Sequence, residues 1–167
     1  MRKSMLGNYI IPGLTSSLLT NGVVRLFEAS REQHSDITPH SHRFNFTCLV
    51  LRGHVVNRLW TLGASKEHDW YAPSKLEYSG APGSYKIVHA HDAKRWRYDE
   101  VTYNKGEWYS MVADQIHSIM FSPDAIVLFF EGPQITDTTT ILEPVVDRCR
   151  VSTFAVQPWM FSPVEPI

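Results

Sequence analysis

The stretch from Thr38 to Gly53 constrains this chain most. It opens on a His-x-His pair, His40 and His42, then runs Phe44, Phe46, Leu49, Val50, Leu51 to a glycine. A run rich in β-formers and closed by Gly reads as a buried strand ending in a tight turn. The partner strand expected after it is 54–60, forming an antiparallel hairpin. Side chains alternate along a strand, so His40 and His42 share a face. Neutral imidazole is the commonest metal ligand, and two on one rigid face can hold one divalent ion. A site needs at least one more ligand, and His117, which follows Gly106 in a second strand-rich stretch, is the best candidate.

The rest of the chain reads as many short strands separated by turn signals. Leu14 to Leu19 is ambiguous and compatible with a short helix. Strands are expected over 23–29, 84–89, 95–103, 106–112, 117–121 and 125–131, the later ones as a meander. Between 61 and 83 the pattern is broken by Gly63, Pro73, Gly80, Pro82 and Gly83, with Trp70, Tyr71 and Tyr78 among them. Such an excursion reads as a lid or binding loop. One further strand-like run, Arg150 to Val156, precedes a tail punctuated by Pro158, Pro163 and Pro166. Little helix and many strands point to an all-β barrel or sandwich.

Length and charge narrow the function. A chain of 167 residues suits one domain with a sizeable core. Its net charge of −1 gives no electrostatic case for nucleic acid. No apolar run is long enough for a transmembrane helix, and the start at Met1-Arg2-Lys3 is interrupted too early to read as a signal. Cys48 and Cys149 make no CxxC pair, so a reduced, cytoplasmic protein is expected.

The spacings resemble the cupin superfamily. Its first motif is Gly-x5-His-x-His-x3-Glu-x6-Gly, and its second Gly-x5-Pro-x-Gly-x2-His-x3-Asn. His40, His42 and Gly53 fall at the first motif's spacing, and Gly106 and His117 at the second's. His34 stands where the first Gly belongs, Phe46 where the Glu ligand belongs, and Val112, Asp114 and Phe121 replace Pro, Gly and Asn. The matched segment runs from 34 to 121. The resemblance implies a single cupin domain over 1–167, a double-stranded β-helix or jelly-roll barrel with its motif core over 34–131. It also implies a metal held by His40, His42 and His117, and a homodimer paired through an edge strand.

Three histidines without the Glu look like the thiol dioxygenases, cysteine dioxygenase and its relatives. That implies Fe(II), although open imidazole sites also take zinc, nickel, copper or manganese. The likeness implies a non-haem iron dioxygenase working on a small organic substrate. Strand parity places Cys48 and then Arg52 beyond Phe46 on the interior face, where Arg52 would pair with a substrate carboxylate or phosphate. Tyr103 or Tyr109 would supply a phenol near the metal. The rival is a non-catalytic barrel binding a small molecule or sugar. A lesser alternative is a metal-dependent isomerase with Glu107 or Glu131 as its base. A second His-x-His, His89 and His91, is compatible with another site together with His68 or His117, and His34 and His54 with supporting bonds. There is no GxSxG, P-loop, GxGxxG, HExxH or zinc-type CxxC pairing, which sets those chemistries aside.

Overall fold

A computed structural model of the protein describes residues 13–19, 23–30, 37–63, 70–78, 85–89 and 92–145. Eleven strands form there: β1 (Leu14–Leu18), β2 (Val24–Ala29), β3 (Phe44–Arg52), β4 (His54–Leu62), β5 (Trp70–Tyr78), β6 (Tyr85–His89), β7 (Lys94–Asn104), β8 (Trp108–Met111), β9 (Ile116–Phe121), β10 (Ile126–Gln134) and β11 (Thr138–Pro144). They make two antiparallel sheets. The first has the order β1-β2-β10-β3-β8, and the second β11-β5-β7-β4-β9 with β6 paired to β5. Among the described residues no helix is long and apolar enough to cross a membrane.

The chain changes sheet at almost every step after β7, so the expected meander is a jelly roll instead. Gly53 shows why. β3 pairs with β10 and β8, whereas β4 pairs with β9 and β7, so 52–54 joins two sheets and turns no hairpin. Gly53 has a φ of 69°, where a side chain is strained, and an added Cβ would sit 2.5 Å from Ser122 Oγ. The glycine lets one sheet's chain pass tightly against the 122–125 turn into the other.

Between the sheets lies the core. Alternation along β3 turns Phe46, Cys48 and Val50 inward, against Val55 and Ile119 from the second sheet. Burying a side chain of the Val, Leu or Phe kind stabilises by about 1.5–3 kcal/mol. Three further expectations change. Leu14–Leu18 is a strand, because the ladder to β2 from Leu14↔Ala29 to Leu18↔Arg25 overrides weak local helix preference. The 61–83 excursion contains β5, paired with β11 on one side and with β6 and β7 on the other. Pro73 is tolerated there because it falls in the gap between the β6 and β7 pairings, where no ladder donor is required. Two aromatics of this strand make contacts: Tyr71 lies edge-on to Trp60 at 4.9 Å, and Trp70 takes Arg95 over its ring at 5.2 Å. The run 150–156 lies outside the described residues.

Candidate metal centre

The His-x-His segment precedes β3 and belongs to the other sheet. His40 forms isolated bridges to His117 and Ile141, exchanging backbone bonds with His117 of 2.8 and 2.9 Å. Two residues on, the His42 N–H donates to the Ala113 carbonyl at 2.9 Å. The three rings meet with centroids 4.7 Å (His40–His42), 5.0 Å (His40–His117) and 5.1 Å (His42–His117) apart. Their ligand nitrogens all lie within 4.8 Å of one another.

Hydrogen bonding decides which nitrogen faces inward. His40 Nδ1 lies 2.7 Å from the Thr38 carbonyl, which only accepts, so Nδ1 carries the proton and Nε2 a free lone pair. His117 Nδ1 lies 2.8 Å from Asn57 Oδ1, and Asn57 Nδ2 points at Met111 Sδ, 3.3 Å away. That places a hydrogen-bond acceptor at Nδ1 and leaves Nε2 of His117 unprotonated. His42 Nε2 stands 2.9 Å from it and supplies the shared proton. An ion would take that proton's place between the rings. Nitrogens at right angles on an ion at about 2.0–2.1 Å stand about 3 Å apart, so the pair fits a divalent metal.

Burial does the rest. Loss of solvation lowers the pKa of all three imidazoles. His42 and His117 fall well below the usual histidine value, with neighbouring imidazoles adding charge repulsion. Neutral rings are the form a metal needs.

Phe46 lies against the histidine cluster. It is buried, lies edge-on to His42 at 4.6 Å and stacks on Phe129 at 4.7 Å. Phe44 stands 5.6 Å from His42, and Phe27 meets Phe129 edge-on at 5.6 Å. The wall beside the histidines is therefore apolar. Glu131 pairs with Phe46 in the β3–β10 ladder and so shares its face. Partial burial raises its pKa, opposed by Arg25 and Arg43, and Arg25 Nε lies 3.7 Å from its carboxylate.

Other residues singled out in the sequence lie elsewhere. Arg52 does not face the interior: it is exposed, and its Nε donates to the Asp124 carbonyl at 2.6 Å. A register shift between Ile126 and Val127 opposes Leu51 to nothing, which breaks the alternation just before Arg52. Tyr103 and Tyr109 stack on each other at 4.6 Å in the core. Tyr109 lies beside Cys48, and burial pushes that thiol's pKa up to about 12. Glu107 is exposed and accepts the Asn104 backbone N–H. His54 is exposed at the start of β4. His34, His68 and His91 lie outside the described residues, as does the side chain of His89. Asn57 went unread as a site residue. A lone Asn amid Val55, Val56 and Leu59, in a strand where Asn is disfavoured, was the available signal.

No protein-family description matches this chain, and no curated protein sequence does. Solved structures do match, cupin domains among them. The Drosophila melanogaster CENP-C cupin domain is 10% identical over 79% of this chain and 84% of its own, with a TM-score of 0.36. Hydroquinone 1,2-dioxygenase from a Sphingomonas species, with 4-hydroxybenzoate bound, is 11% identical over 77% and 70%, at 0.42. The polyketide cyclase RemF from Streptomyces resistomycificus is 14% identical over 95% and 84%, at 0.39. Likenesses this distant carry no argument about chemistry here. The jelly roll rests on the strand pairings above.

Proposed function

We propose that this protein is a metal-dependent cupin enzyme, a non-haem iron dioxygenase that works on a small, largely apolar organic substrate. The observation that carries the reading is the convergence of three imidazoles beside a wall of phenylalanine, with the outward Nδ1 of His40 and His117 anchored and the inward Nε2 of His42 and His117 paired. His40, His42 and His117 would hold the ion. A divalent iron there supplies one coordination sphere for substrate and O2, and Lewis-acid stabilisation of developing negative charge. Thr38 and Asn57 fix the ring orientations, as outer partners of metal-bound histidines do. Phe44, Phe46 and Phe129 keep water from the site and favour an apolar ligand body. With Phe46 in the carboxylate's place the donor set is neutral, so the ion's charge is offset by substrate instead.

The exposed position of Arg52 removes the carboxylate clamp that a thiol amino acid would need, which weakens the thiol dioxygenase likeness. A second reading, a non-catalytic small-molecule or sugar-binding barrel, is favoured by the 2.9 Å bond between His42 and His117, which satisfies the inward nitrogens of both rings without an ion. An isomerase gains no support. Glu107 is bonded to a turn, and Glu131 is drawn to Arg25.

Elemental analysis of untagged protein tests the proposal, with His40→Ala and His117→Ala beside the wild type. Near-stoichiometric metal lost in both variants, followed by O2 uptake with aromatic or thiol substrates, supports it. A wild type that refuses ferrous, nickel and zinc ions overturns it in favour of the binding barrel.

A further inference from the structure

Given the metal centre proposed above, on which this rests, we infer that the Thr139 hydroxyl contacts the substrate there. It hydrogen-bonds an oxygen donor and so selects a phenol or an enol over a thiol. Among the described residues three buried side-chain polar atoms have no hydrogen-bond partner: Ser16 Oγ, Trp96 Nε1 and Thr139 Oγ1. Ser16 lies on β1 and Trp96 on β7, away from the strands bridged to the histidine segment. Thr139 lies on β11, which is bridged to His40 through Ile141. It is 5% exposed, and its ladder partner in β5 is the buried Leu76, which offers no polar group. A buried hydroxyl that binds nothing keeps its full desolvation penalty. Valine would suit the same place in a strand without that penalty.

Register sets the hydroxyl beside His42. The Leu142 N–H donates to the Pro39 carbonyl at 2.9 Å, and the Ser41 N–H to the Thr140 carbonyl at 2.8 Å. Ser41 Oγ accepts the Thr140 N–H at 2.8 Å, which holds the same register where the ladder ends. Those are the hydrogen-bonded pairs, so His40 and Ile141 face each other at the closer, non-hydrogen-bonded spacing. Two residues on, the same register brings Thr139 opposite His42. Alternation puts Thr139 on the face of Ile141, which is the face of His40 and His42. Cβ atoms of such a pair stand about 4.5–5.5 Å apart. The histidine cluster thus has a hydroxyl on its β11 side and Phe46 of the first sheet against it.

The donor atom follows from charge. Three imidazoles bring no negative charge, so an ion held by them favours an anionic ligand. A phenol or enol meets that need as its anion, with its proton released to solvent. A hydroxyl donates strongly to a charged oxygen, whereas sulfur is a weak acceptor. Phe44, Phe46 and Phe129 offer the ring of a phenol an apolar wall.

Phenol and thiophenol place the two donor atoms on one ring. Each is titrated into the full chain loaded with Co2+ and read from the visible cobalt bands. Thr139→Val should weaken phenol about tenfold or more, and leave thiophenol and Co2+ affinity within about twofold. Thr139→Ser keeps the hydroxyl and should stay near the wild type. In metal-stripped protein Thr139→Val should raise the urea midpoint or leave it unchanged, because no partner is lost. A fall in that midpoint would show that the fold itself uses the hydroxyl, and overturns the inference. So does a loaded wild type that binds no phenol, or a valine variant that weakens both ligands equally or neither; the metal centre then still stands. A wild type that takes up no Co2+ ends the metal-centre reading and this inference with it.

Discussion

Asn57 and Val101 face each other across the β4–β7 ladder, and their surroundings are the reverse of their chemistry. The amide is buried at 1% exposure, and the apolar side chain is 37% exposed. Cross-strand partners share a face, so both point to the same side of the second sheet. What differs is what lies above them. Beside Asn57 on the neighbouring β9 stands His117, and over it Met111 of the first sheet; they take up its oxygen and its NH2. Over Val101, at the free edge, the first sheet gives no cover. A buried amide with both ends engaged is cheap to keep and costly to strip of a partner. Position in the barrel, more than residue type, decides which of the two is buried.

The sharpest way to break this contrast is His117→Ala, which removes a ligand and Asn57's acceptor role together. Metal content by plasma emission should fall to background, while the far-UV spectrum keeps its β character. Asn57→Leu keeps the branched shape and removes the orienting bond to His117 together with the weaker one to Met111. Metal affinity by competitive chelation should drop about 10–100-fold. A drop of less than about twofold would make Asn57 a packing residue and end the contrast.

Acid sharpens it from another side. The three imidazoles have folded pKa values below the unfolded one, so the stability they contribute is present above the unfolded value near pH 6.5. It is lost as pH falls from there toward the folded pKa values, because the unfolded chain takes up protons first. In metal-stripped protein each such histidine adds about 1.4 kcal/mol per pH unit to that slope, readable from urea midpoints. Replacing His42 by Phe should flatten it. Smallest is Val101→Thr, which should change stability by less than about 0.5 kcal/mol and leave metal binding untouched.

Spacing made the site legible before the fold. The intervals among His40, His42, Gly53, Gly106 and His117 are local or tied to turns, and they survive without knowledge of sheet assignment. The all-β class was legible for the same reason, since strand runs and turn residues are local signals. What failed was whatever depended on neighbours distant in sequence. Gly53 looked like a hairpin turn because sequence does not say that β3 and β4 pair with different strands. Arg52 looked interior because a bulge set by β10 is invisible from β3 alone. Pro73 looked like a loop residue because its missing donor is excused only by a gap between two partner strands. The Thr138-Thr139-Thr140-Ile141 run of β11 was a β-branched signal left unread.

The alternation of the chain between sheets has a consequence in time. His42 and His117 are 75 residues apart, and β3 finds its ladder partners only in β8 and β10. Closing such long loops costs entropy before any contact rewards it, which makes non-local β topologies slow to form. The three imidazoles therefore come together only once the 40–42 segment has paired with β9, far along the chain, and an ion has no preassembled site to grip in the early chain. Uptake of a spectroscopically visible ion such as Co2+ by refolding protein would then lag strand formation and mark the moment at which the barrel closes.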